Sequence, residues 1–89
     1  MTDTNATSTQ TIRRILKEHG RLSKDVDSLK PESDLYEAGL TSHASVNVML
    51  ALEDAFDIEF PDRMLTRTVF ESVASIRAAL TELQPSLAA

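Results

Sequence analysis

The sequence predicts an all-α fold, a four-helix bundle of three principal helices and a short third helix, with a long first loop. Three observations predict it. Apolar residues recur at helical spacing in three separate stretches, each opened by a Ser or Thr suited to capping free amides. No alternating stretch is long enough to pair as a strand. The chain has 89 residues and no cysteine, so it forms one small domain held by a packed core without disulfides.

Residues 1–7 are polar and are expected to be a disordered tail, with the domain proper over residues 8–84 and a frayed tail at 85–89. Thr7-Ser8-Thr9-Gln10 fits a capping box, and Ile12, Ile15, Leu16 and His19 follow at i, i+3, i+4 and i+7, which predicts a helix over 8–19 with Gly20 as its C-terminal cap. The next twenty or so residues have no helical or strand period. They contain single apolar residues, Leu22, Val26, Leu29, Leu35, Tyr36 and Leu40, whose spacing suits a loop pinned to the core. Pro31 resists helix there, and Asp34 to Glu37 can cap one short turn before Gly39, whose lack of a side chain permits a strained backbone.

The central helix is expected over Ser42–Phe56, starting at a cap on Thr41 or Ser42 and rich in helix formers. At about 100° per residue, Ser45, Val48, Met49, Leu52, Ala55 and Phe56 share one arc, the expected core face, with Asn47 and Asp54 opposite. His43, Val46 and Leu50 form a second set, on the side shared with Asn47, Glu53 and Asp54, and are expected to face water or a partner. After this helix, residues 57–62 read as an extended loop. Pro61-Asp62 can open a brief turn through Met64-Leu65, and Thr68 to Glu71 fits a capping box for the short third helix. Ser72 caps the last helix, in which Val73, Ile76, Leu80 and Leu83 keep helical spacing before Pro85.

Several function classes are disfavoured by composition. The two histidines, His19 and His43, have no metal-ligand spacing, and without cysteine no metal site is expected. A net charge of −5 argues against binding nucleic acid and for basic partners, because 14 acidic residues outnumber 9 basic ones. The first residues have neither a basic nor an apolar region, and no apolar run approaches membrane-spanning length, so a cytoplasmic monomer with no membrane partner is expected.

Catalysis is not expected, since Ser42 and His43 are the only tempting pair and neighbouring positions on a helix point about 100° apart. A different chemistry suits Ser42. In the first turn of a helix it lies beside unpaired backbone amides and the positive end of the helix dipole, where an attached phosphate is favoured. A plain capping role is the competing reading.

The chain resembles the acyl carrier protein family, which includes the peptidyl and aminoacyl carrier proteins. The resemblance spans Ile12 to Leu80 and rests on Asp34-Leu35, Gly39-Leu40-Thr41-Ser42, Val46 to Phe56, Ile58 to Asp62 and Phe70 to Ile76. It implies that Ser42 carries 4′-phosphopantetheine, installed from coenzyme A by a phosphopantetheinyl transferase, with cargo held as a thioester on the arm's thiol. It further implies an acyl- or aminoacyl-activating, synthetase-like ligase and a downstream acceptor enzyme as partners. His43, Val46, Asn47, Leu50 and Asp54 are the expected partner face, with Asp57 and Glu59 as further acids for basic partner surfaces. The usual acids flanking the serine are missing from Thr41-Ser42-His43-Ala44, which looks most like the stand-alone aminoacyl carriers. Ser45 is the rival hydroxyl, placed on the core arc. An unmodified acidic helical interaction module is the alternative function.

Overall fold

A computed structural model describes residues 4–84, with side chains from residue 8 onward. Among the described residues every regular element is helical. Helix α1 covers Thr4–Ile15 and runs on through a wider π turn over Leu16–Gly20. Helix α2 covers Ser42–Phe56 and helix α3 covers Val73–Leu83, with short 3-10 turns at Val26–Ser28 and Asp62–Met64.

The N-terminal helix differs from expectation at both ends. It begins at Thr4 rather than residue 8, so Thr4–Thr7 are its first turn and not a disordered tail. No Gly or Pro breaks the chain before Ser8, which sits buried inside the helix instead of opening it. Residues 1–3 and the frayed tail expected at 85–89 lie outside the described residues. At the other end Gly20 is the last residue of the π turn, and Arg21 takes the left-handed conformation, φ 52°, that ends the helix. One extra residue in a widened turn displaces the cap by one position.

Ile12, Leu16, Leu35, Val48, Leu52, Val73, Ile76 and Leu80 are fully buried and form the centre of the core. The three helices converge on it, and the first loop closes over it. As its spacing predicts, that loop is pinned: Val26, Leu35 and Leu40 are buried, and Leu22, Leu29 and Tyr36 pack against the cluster. Backbone polar groups in the loop find partners too. Leu35 N donates to Glu71 O at 2.7 Å and Ala74 N to Pro31 O at 2.9 Å, tying the loop to the start of α3. Arg13 of α1 donates to the carbonyls of Val26 and Leu29, at 2.8 and 3.0 Å. Beside it Lys17 pairs with Asp27, which raises the ammonium's pKa above its ordinary value.

Helix α2 is capped as expected at one end and stopped by a different device at the other. Asp57 adopts a left-handed conformation, φ 53°, and its amide donates to Glu53 O. Asp is among the residues that tolerate this region. Phe60 N then donates to the Glu53 carboxylate at 2.8 Å, folding the following loop back onto the helix. Phe60 and Phe70 meet edge to face with centroids 5.6 Å apart, closing the core beneath residues 61–70. The capping box at Thr68–Glu71 makes no helix. Phe70 N donates to Arg67 O in a single turn, because Ser72 already accepts from Ser75 N to cap α3 and leaves no chain for another helix. Among the described residues the bundle therefore consists of three α-helices and short 3-10 turns, with turns in the place of the short third helix.

Candidate functional site

The site is built around the entry to α2. Asp34 accepts from the amides of Tyr36 and Glu37, at 2.9 and 3.4 Å, and makes the short turn that precedes Gly39. Gly39 is required at its position. Its φ is 114°, and a Cβ there would lie 2.8 Å from the Ser23 amide nitrogen. Ser23 in turn bonds Ala38 O through both its amide and its hydroxyl, at 2.8 Å each, so both halves of the first loop fix the helix entry.

Capping falls to Thr41, whose Oγ1 accepts from Ala44 N at 3.0 Å. Ser42 is consequently the first helical residue and is exposed, and among the described residues nothing bonds its hydroxyl. Ser45, the rival, is half-buried, and its Oγ donates to Ser42 O at 2.7 Å. One hydroxyl is thus engaged by the backbone and the other is available.

The inner face of α2 is Ala44, Val48 and Leu52, with Ser45, Met49, Ala51 and Phe56 half-buried beside it. The sequence-derived arc is rotated from this by a fraction of a turn: Ala55 is exposed where core was expected, and Ala44 is buried where it was not. Ala44 joins the core cluster that also holds Leu35 and Leu40 of the first loop, whereas Ala55 lies at the groove beside α1. His43, Val46, Asn47, Leu50 and Asp54 are all exposed, Val46 by 50% and Leu50 by 53%.

These exposed residues share one side of α2 and border two grooves. Ser42, Ser45, Val46 and Met49 line a groove of about 340 Å³ whose other wall is Tyr36, Leu65, Thr66, Arg67 and Phe70. Asn47, Leu50 and Asp54 turn instead toward α1 and line a second groove with Arg14, Glu18 and His19. His43 lines neither. The first groove's far wall comes from two loops brought together only by folding, so no spacing in the sequence reveals it, and Tyr36 reads there only as a core pin. Arg67 stacks over the Tyr36 ring at 4.0 Å from its centroid.

Comparison with known proteins defines the class. Residues 9–80 match the family model described as phosphopantetheine attachment site, and the chain belongs to that family of carrier proteins. It is 54% identical over 66 residues to the aminoacyl carrier protein of Agrobacterium fabrum, covering 74% of this chain and 80% of that protein. With aminoacyl carrier protein 1 of Bradyrhizobium diazoefficiens it shares 37% identity over 91 aligned positions, 94% of this chain and 98% of the relative. In fold it is similar to a chain in the crystal structure of an engineered Bradyrhizobium japonicum glycine:[carrier protein] ligase complexed with carrier protein from Agrobacterium tumefaciens and ATP. That match has TM-score 0.83 and 47% identity, covering 85% of this chain and 99% of the other.

The family bears its cofactor covalently on a serine and is a carrier, not an enzyme. The residues beside α2 fit such a group. An exposed hydroxyl opens onto a groove walled by Val46, Met49, Leu65 and Phe70, and no carboxylate among the lining residues would repel a phosphodiester. No group of three or more metal-ligating side chains gathers among the described residues, and no helix there is long and apolar enough to cross a membrane.

Proposed function

We propose that Ser42 is the attachment point of 4′-phosphopantetheine and that the protein carries an activated amino acid for transfer to an acceptor enzyme. The observation that carries this is the division of labour at the helix entry: Thr41 caps α2, so the Ser42 hydroxyl is exposed, unbonded and free to be modified. A phosphopantetheinyl transferase brings coenzyme A, and its own groups activate the serine, so Ser42 needs no base from this chain. Bound there, the arm supplies the thiol this cysteine-free chain lacks, on which cargo is held as a thioester. Val46 and Leu50 give partners apolar contact beside the arm. His43 and Asn47 flank them, and Asp54, Asp57 and Glu59 meet basic partner surfaces.

The aminoacyl cargo and the synthetase-like ligase are supported by the relatives named as aminoacyl carriers and by the carrier seen with a glycine ligase. The protein is taken to act as a cytoplasmic monomer. Incubating the arm-bearing protein with ATP, labelled amino acids or labelled fatty acids, and candidate ligases tests the cargo. An aminoacyl product released by mild thiol treatment is expected; loading by a fatty acyl ligase alone would overturn the aminoacyl assignment.

A further inference from the structure

Resting on the reading that Ser42 carries the arm, we propose that Arg67 is the counter-charge of the arm's phosphodiester, a positioning residue that holds the arm along the groove beside α2. Ser42 and Arg67 line the same groove. The guanidinium is placed over Tyr36, which restrains it to the groove's rim while leaving its N–H fork open. Of the other cations, Arg13 bonds two carbonyls, Lys17 pairs with Asp27 and Arg63 with Glu82 at 3.1 Å, while Arg14, Arg21, Lys24, Lys30 and Arg77 do not line this groove. Among the described residues no carboxylate pairs with Arg67.

The setting makes that cation more telling. The chain has a net charge of −5, yet the lining of this groove contains one charged side chain, and it is positive. A phosphodiester carries one negative charge and offers two oxygens to a planar guanidinium. The groove toward α1 is less suited to it, because Ser42 does not line it and the carboxylates of Glu18 and Asp54 stand there beside Arg14. Below Arg67 the walls are Val46, Met49, Leu65 and Phe70, and two of these are apolar surface still open to water, Val46 by 50% and Leu65 by 45%. Covering them with the arm's aliphatic portion removes apolar area from water, while the charge pair fixes the end nearest Ser42.

The test compares apo and arm-bearing protein for wild type, Arg67→Gln and Arg67→Lys. Intact mass establishes modification. Backbone and methyl NMR shifts at Val46, Met49, Leu65, Thr66 and Phe70 then report whether the arm occupies the groove. Emission from Tyr36, the one tyrosine in a chain without tryptophan, gives an independent signal. In wild type, modification is expected to move these signals, and about 1 M salt, where the Debye length is about 3 Å, to return them toward apo values. Arg67→Gln is expected to lose more than half of the response and its salt dependence, and Arg67→Lys to recover part of it. Apo Arg67→Gln should match apo wild type away from position 67; if it does not, the salt titration of wild type decides. Full modification with groove signals that are unmoved, insensitive to salt or unchanged in Arg67→Gln overturns the role of Arg67 and leaves Ser42 as the attachment point. Absence of modification at Ser42 overturns both.

Discussion

The two long faces of α2 carry similar residue types to opposite ends. On the inner face Ala44, Val48 and Leu52 are buried against the first loop, α1 and α3. On the outer face Val46 and Leu50, no less apolar, stay about half exposed and border two different grooves. Burial on the inner face is settled by packing within the chain, whereas nothing within the described residues covers the outer one. The difference separates what folds the protein from what is left open at its surface.

Truncating Leu52 should break the inner face most severely. Replacing a fully buried leucine with alanine costs about 2–5 kcal/mol, against roughly 4–13 kcal/mol for a domain of this size, so Leu52→Ala should melt far earlier than wild type in thermal or urea unfolding. The helix entry offers a finer contrast between neighbours. Thr41→Ala removes the cap and should cost about 1 kcal/mol, whereas Ser42→Ala removes an unbonded hydroxyl and should change stability by no more than about 0.5 kcal/mol. If Ser42→Ala were the more destabilising of the two, the serine would be the structural residue. As small should be the effect on the outer face: Leu50→Ala and Val46→Ala are expected to stay within about 0.5 kcal/mol of wild type in the same unfolding series. Both should nevertheless slow loading in a ligase assay, and normal loading would mark this face as ordinary surface.

Much of this division was legible in the chain. Helical spacing located the three helices, the run of hydroxyls after Gly39 located the entry to α2, and the single apolar residues of the first loop told of its pinning. Ser42 could be singled out by its place after Gly39-Leu40-Thr41 at a helix start and by the family resemblance, and the exposed set from His43 to Asp54 because it lies on one continuous helix, where spacing fixes direction. The misjudged features depend on tertiary context. A wheel treats a helix as free of its neighbours, so it exchanged Ala55 for Ala44 at the two ends of α2, where the loop and the helix terminus decide burial. A capping box at Thr68 is a local signal, overruled when the chain had to reach the Ser72 cap and seat Phe70 against Phe60. The Arg67–Tyr36 wall was invisible for a related reason, since its residues lie in separate loops and no periodicity links them.

The central claim is that the hydroxyl left free at the start of α2 is the one that carries the arm. Intact-mass measurement after co-expression with a broad-specificity phosphopantetheinyl transferase tests it most directly, with wild type, Ser42→Ala and Ser45→Ala compared side by side. Wild type and Ser45→Ala are expected to gain one phosphopantetheinyl group and Ser42→Ala to gain none. A gain retained in Ser42→Ala and lost in Ser45→Ala would contradict the account, as would a wild-type protein left unmodified by both this transferase and a matched one from the same source.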